Sequence, residues 1–110
     1  MNCVFLDCNR ITIGDNALIG PGVHIYTVFH PLRAGERLNK SINGEFPFAV
    51  AKTSPVTIGN NVWIGGGSII LPGVTIGDNV TIGAGSVVTK SISGNVLAHG
   101  NPCRIVKEIP

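Results

Sequence analysis

At 110 residues with a formal net charge of +2, from eight Lys and Arg against six Asp and Glu, the chain has one domain's length and is too weakly basic for a clustered nucleic-acid footprint. A mean hydropathy of +0.36 with 13% charged residues is apolar for the surface of a soluble monomer and predicts association between copies. No apolar run approaches membrane-spanning length, Met1-Asn2-Cys3 opens no signal peptide, and Cys3, Cys8 and Cys103 form no CxxC pair, so a cytoplasmic protein with reduced thiols and no membrane partner is expected.

From Ile13 onward the chain repeats in blocks of six. Ile or Val opens a block at positions 13, 19, 25, 58, 64, 70, 76, 82 and 88, and glycine follows six of these openings directly. Neither the 3.6-residue period of a helix nor the alternation of an ordinary strand gives that spacing, whereas short parallel strands coiling into a solenoid do. The fifth residue of each block is again small or apolar: Ala17, Val23, Phe29, Val62, Ser68, Val74, Val80, Ser86 and Ile92. Two inward positions per hexad then line a narrow core. Between them stand turn formers, as in Gly14-Asp15-Asn16, Gly59-Asn60-Asn61 and Gly77-Asp78-Asn79, where Gly and Asn accept positive φ. Three hexads per triangular turn place residue i under residue i+18, so Ile58 is expected to stack on Ile76 and Ile64 on Ile82, about 4.8 Å apart.

The period stops at His30 and resumes at Ile58, leaving an extended loop over 31–55 with Pro31, Gly35, Gly44, Pro47 and Pro55. Loops of this length inside one domain are usually functional or disordered. The apolar run Phe46-Pro47-Phe48-Ala49-Val50 predicts docking on a neighbouring copy. Two groups of cations stand out, Arg33, Arg37 and Lys40, then Lys90, Arg104 and Lys107. Taken singly each reads as a solvated surface charge.

Several stretches resemble the maltose and galactoside O-acetyltransferases of the hexapeptide-repeat acyltransferase superfamily. They are Asn2-Cys3-Val4-Phe5-Leu6-Asp7, Pro21-Gly22-Val23-His24-Ile25-Tyr26-Thr27 with His30-Pro31, Val56 to Gly66, Pro72 to Asn79, and Gly100-Asn101-Pro102-Cys103-Arg104. The resemblance implies an all-β, left-handed parallel β-helix over 1–110, an exception to the right-handed crossover rule. It also implies a homotrimer with sites between subunits, acetyl-CoA as co-substrate, a sugar hydroxyl as acceptor and no required metal. His30 is the implied catalytic base, because an alcohol is a poor nucleophile at neutral pH and imidazole titrates near it.

For acetyl-CoA the resemblance points to Gly66, Ala84, Thr89, Lys90, Arg104 and Lys107. Small residues let a pantetheine arm lie near backbone, and the cations suit phosphates, although Gly66 and Ala84 read equally well as structural. Asn2, Asp7 and Cys8 fall near positions that face the acceptor in relatives. Trp63 reads as an interface residue or as the wall of a cleft between subunits. The family's site segment begins with an Asn two places ahead of the residue matched by Asn2, which falls before Met1, and the family's N-terminal helical segment is absent. A truncated chain with impaired transfer is therefore expected. Two other readings stay open: a non-catalytic trimeric β-helix that binds CoA at most, and a zinc carbonic anhydrase-like protein built on His24, His30 and His99. For the latter, His24 and His30 end successive hexads and should lie on different faces.

Overall fold

The computed structural model describes residues 1–39 and 48–110. Its hexads build three parallel sheets, the faces of a prism around which the chain winds. The first coil contributes β1 (Val4–Leu6), β2 (Ile11–Ile13) and β3 (Leu18–Ile19), one to each face. The second opens with β4 (His24–Tyr26) and, after an excursion, closes with β9 (Val56–Ile58) and β10 (Trp63–Ile64). The third supplies β11 (Ile69–Ile70), β12 (Thr75–Ile76) and β13 (Thr81–Ile82). In the fourth, β14 (Val87–Val88) and β15 (Val96–Gly100) flank a single bridge from Ile92 to Ile76, and β16 (Cys103–Glu108) folds back antiparallel on β15. The first face is thus β1-β4-β11-β14, the second β2-β9-β12, and the third β3-β10-β13-β15-β16.

The register follows the hexad. Ile58 pairs with Ile76, Ile64 with Ile82 and Ile70 with Val88, each 18 residues on. Ile13, Ile19 and Ile25 pair with Ile58, Ile64 and Ile70, a separation of 45 that leaves 27 extra residues in the second coil. Ile25, Ile58, Ile64, Ile70, Ile76 and Ile82 are all buried, as are the fifth residues Val23, Val62, Val74 and Val80. Stacked aliphatic columns fill the prism, and burying each side chain contributes about 1.5–3 kcal/mol.

Two fifth residues depart from the period. Phe29 is 41% exposed because the chain has already left the coil there. Its strand β5 (Val28–Phe29) pairs antiparallel with β8 (Lys52–Thr53), and the buried Val56, 18 residues before Val74, takes the inward place instead. Ile92 sits beside Ile76, as an opening residue would. The fourth coil is therefore two residues short, and Ala98 likewise pairs with Ile82 at a separation of 16.

The excursion carries structure of its own: besides β5 and β8, a short helix α1 (Ala34–Arg37), then β6 (Leu38–Asn39) paired antiparallel with β7 (Phe48–Ala49). The expectation that the Phe46–Val50 run docks on a neighbour falls in part, at 46 and 47, on residues outside those described.

Corners divide the turn formers by purpose. Positive φ is carried by Asn16, Asn61, Asn79 and Asn95, at 55–60°, on the corner between the second and third faces. Their side chains form a ladder, Asn16 Nδ2 donating to Asn61 Oδ1 (3.2 Å), Asn61 to Asn79 (3.2 Å) and Asn79 to Asn95 (3.0 Å). The glycines that follow the hexad openings serve close approach rather than positive φ. A Cβ on Gly65 would lie 2.4 Å from the backbone N of Ala84 in the next coil, and one on Gly59 2.9 Å from the carbonyl carbon of Gly77.

Outer faces differ in chemistry. Thr12, Thr57 and Thr75 stand in one exposed column on the second face. On the third face Leu18 and Trp63 are neighbours in register and both more than half exposed. That exposure fits either sequence reading of Trp63.

Gly65→Ala should destabilise the chain by roughly 1–3 kcal/mol, the usual range for overpacking, because the clash falls on backbone. Gly35→Ala in α1, with nothing within 4 Å of its added Cβ, should leave the midpoint of urea unfolding unchanged. Equal midpoints for the two variants would contradict the close-approach account.

Candidate functional site

The chain leaves the coil at the corner between the first and second faces, and polar contacts fix its point of departure. Thr27 is fully buried. Its hydroxyl donates to the Leu6 carbonyl in the coil above and accepts from the Asn9 backbone N–H at 3.0 Å. The Thr27 carbonyl accepts from the N–H of Ser54 on the returning strand (2.9 Å), and Asn9 Nδ2 donates to Thr53 Oγ1 (3.1 Å). Departure and return are thereby tied to one point, so β5 holds a defined direction and His30 emerges just beyond it.

His30 is exposed, and its Nδ1 lies 2.7 Å from the carbonyl oxygen of Val50. A carbonyl can only accept, so Nδ1 carries a proton, and in the neutral ring Nε2 then keeps the free lone pair. Val50 is held in turn, its N–H donating to the Arg37 carbonyl at 2.6 Å. His30, Ala34, Arg37, Leu38 and Ala49 line a depression of about 390 Å³ with largely apolar walls.

A second depression, of about 470 Å³, is lined by Lys90, Ser91, Ile92, Cys103, Arg104 and Ile105. It brings together Lys90 and Arg104, two of the three cations named for phosphate contact, and Thr89 directly precedes it. Lys107 lies opposite Leu97, beyond a register shift in the β15–β16 pair, and does not line it. Gly66 and Ala84 occupy a different corner, between the third and first faces. There a Cβ on Gly66 would meet the Pro21 carbonyl oxygen at 3.0 Å, so coil packing by itself accounts for the small residue. The residues named for acetyl-CoA therefore divide between two corners at opposite edges of the first face.

The acceptor residues are not gathered around His30. Asp7 lines a third depression, of about 500 Å³, with Phe5, Asn9, Arg10, Ile11 and Ile13 at the open end of the first coil. Asn2 and Cys8 are exposed, and neither lines the His30 depression. His24 Nδ1 is 2.5 Å from the Tyr26 hydroxyl, and His99 packs its Cβ over Gly83. Among the described residues no group of three His, Cys, Asp or Glu is placed to hold a metal. The three histidines do not converge on the site that a zinc enzyme would need.

Sequence reasoning missed Val50, Thr27 and Asn9, and it read Arg37 as a solvated charge, although the Arg37 side chain is bonded to backbone. Val50 contributes only a carbonyl, which every residue has. Thr27 and Asn9 carried a faint signal, a hydroxyl at the last corner before the period breaks and an Asn eighteen residues before it.

Cys103, buried beside Arg104, has its thiol pKa raised by desolvation, against the pull of a Ser86 hydrogen bond and the Arg104 charge. The unfolded chain then ionises first as pH climbs, so the folded state loses stability above about pH 8.5, the ordinary thiol range. Cys103→Ala should flatten that decline in a series of denaturant melts. A decline of the same slope in the variant would assign it to other groups.

The bacterial transferase hexapeptide family model (six repeats) matches residues 55–90. The galactoside O-acetyltransferase of Escherichia coli K12 is 51% identical over 108 residues, covering 98% of this chain and 49% of that protein. The crystal structure of a maltose O-acetyltransferase from Clostridium difficile 630 superposes with a TM-score of 0.85 at 56% identity, over 98% of this chain and 53% of that one. A galactoside acetyltransferase solved in complex with coenzyme A gives 0.85 at 49% identity, over 98% and 50%. The chain spans about half the length of the curated relatives it matches. With its hexads, its three parallel sheets and these likenesses, the chain carries the bacterial transferase hexapeptide repeat over 55–90 and resembles the hexapeptide-repeat acetyltransferases along nearly its whole length.

Proposed function

We propose that this chain is an acetyl-CoA-dependent O-acetyltransferase acting on a sugar hydroxyl, with His30 as general base. The observation that carries the proposal is the hydrogen bond from His30 Nδ1 to the Val50 carbonyl, which leaves Nε2 as a lone-pair base at the rim of an open depression. Relatives with about half their sequence in common are named for this chemistry, and one is solved with coenzyme A.

His30 Nε2 removes the proton from the acceptor hydroxyl as its oxygen attacks the thioester carbonyl. The tetrahedral oxyanion is held by backbone or side-chain donors. Its collapse breaks the C–S bond, and the imidazolium returns the proton to the departing thiolate, so His30 ends as it began. No acyl group passes through the protein, and Cys3, Cys8 and Cys103 need no part in the chemistry. Lys90 and Arg104 meet the anionic phosphates of the donor, with Thr89 beside them and Lys107 adding long-range charge. Gly66 and Ala84 leave room for the pantetheine arm.

The division of these residues between two corners favours a site shared by two copies, one presenting the Gly66–Ala84 corner and its neighbour the Lys90–Arg104 corner. A homotrimer of single-domain, left-handed β-helices closes such a site three times over. The exposed Leu18 and Trp63 supply apolar surface for contact, and β5, which leaves the coil just before His30, directs the base away from the prism. Asn2, Asp7 and Cys8 would meet the acceptor from the first coil. Among the described residues no helix is long and apolar enough to cross a membrane, which agrees with a cytoplasmic enzyme.

Free thiol released from acetyl-CoA, measured over a panel of sugars, tests the proposal. Release should require a sugar and should fall by about 100-fold or more in His30→Ala, with CoA binding and oligomeric state kept. Undiminished release in that variant would sink the assignment of the base, and CoA binding without any release would favour the non-catalytic reading. Lys90→Ala with Arg104→Ala should weaken CoA binding more at low salt than at high salt, since exposed charges are screened. An unchanged dissociation constant would place the phosphates elsewhere.

A further inference from the structure

The Arg37 guanidinium is turned back onto the segment that follows His30. Its Nε donates to the Pro31 carbonyl at 3.0 Å and a terminal nitrogen to the Leu32 carbonyl at 2.8 Å. The Arg37 backbone carbonyl accepts from Val50 N–H at 2.6 Å, and the Val50 carbonyl accepts from His30 Nδ1 at 2.7 Å. One residue therefore holds both sides of the imidazole. Its side chain fixes the backbone that continues from His30, and its main chain fixes the carbonyl that orients the ring. A planar fork with fixed N–H directions suits two consecutive carbonyls, which a single ammonium cannot span.

We propose that Arg37 is a positioning residue for His30, acting through Val50 and the Pro31 and Leu32 carbonyls to keep the imidazole in its Nδ1–H tautomer with Nε2 free. The inference rests on His30 being the base and adds what sets its protonation pattern and aim. In small imidazoles in water the proton favours Nε2, so a ring used as an Nε2 base needs a partner that draws the proton to Nδ1. The Val50 carbonyl is that partner only while the segment between β7 and β8 stays bonded to the Arg37 carbonyl at the end of α1. Arg37 lies outside the buried aliphatic columns, which run through Val23, Ile58, Ile64, Ile70 and Ile82, so its replacement leaves the coil intact.

The test combines kinetics with ¹⁵N spectra of the full chain labelled at histidine, in which only three imidazoles appear. In wild type, His30 should show a protonated Nδ1 and an unprotonated Nε2. Arg37→Gln should shift the His30 signals toward a tautomer mixture and lower kcat by about 10- to 100-fold, with KM for acetyl-CoA and the unfolding midpoint unchanged. Arg37→Lys, able to reach one carbonyl, should fall between. Unchanged His30 signals in Arg37→Gln would overturn the proposal, whether or not kcat fell, because a fall alone would mark only general support of the loop. Full turnover in His30→Ala would instead overturn the base itself. That outcome is read on a separate variant, so the two failures are told apart.

Discussion

The spacing between successive coils governs this molecule. Parallel strands hydrogen-bond at about 4.8 Å, and at a tight corner that distance leaves no space for a side chain directed at the neighbouring coil. Gly65 shows the limit, with any Cβ pressed to 2.4 Å from the Ala84 backbone nitrogen. The same spacing places like residues over like. Ile64 sits between Ile19 and Ile82, and Ile70 between Ile25 and Val88. A repeat that satisfies one coil then satisfies all of them, and the core is built by iteration. The cost is that the fold has no single interior in which to bury a reaction centre, so chemistry must be done at the corners and outside.

How much of this was legible in the sequence depends on the range over which each signal acts. The 18-residue register was readable because it follows from counting hexads, and the pairs Ile58 with Ile76 and Ile64 with Ile82 stand where the count puts them. Phe29 was misread as inward, and Ile92, buried as expected, falls out of register, because apolar character alone does not reveal where the chain leaves the coil or where a coil is cut short. Phe29 falls in phase with the hexads yet pairs outward with Lys52. Ile92 falls in phase as a fifth residue yet bridges to Ile76, as the shortening by two residues becomes visible only once neighbours are paired. The glycines after the hexad openings were assigned to positive φ, whereas Asn carries that strain and Gly relieves crowding. Both residues mark a corner in sequence, and only the coil above tells them apart.

The site was less legible than the fold for a related reason. His30 could be singled out because imidazole is chemically distinctive and is followed by Pro31 at the edge of a break in the period. The group that holds its ring is a backbone carbonyl brought from 20 residues away, and backbone has no letter of its own. Arg37 illustrates the point, since an exposed arginine in a charged stretch looks solvated until the Pro31 and Leu32 carbonyls are seen beneath it. Burial, the usual guide, fails here as well, because His30 and Arg37 are themselves exposed in a single chain. The residues named for acetyl-CoA were drawn together by resemblance, but the prism sends them to two corners. A linear sequence does not show which corner of the prism each residue will occupy.

The three corners are not equivalent, and their difference explains where the interruption lies. Between the second and third faces the Asn ladder spends four side chains on linking coils, from Asn16 through Asn61 and Asn79 to Asn95. An insertion there would cut the ladder and expose left-handed Asn residues whose conformation their neighbours help to support. Between the third and first faces Gly20 and Gly65 are packed against the backbone of the neighbouring coil, which leaves no room for a side chain there. The remaining corner passes through Thr27, Pro72 with Gly73, and Lys90, a set with no shared side-chain ladder. It is the corner from which 27 residues can depart at little cost, provided the two ends are tied, and Thr27, Asn9, Thr53 and Ser54 tie them. His30 and the Lys90–Arg104 depression lie on that same corner, where no side-chain ladder runs from coil to coil.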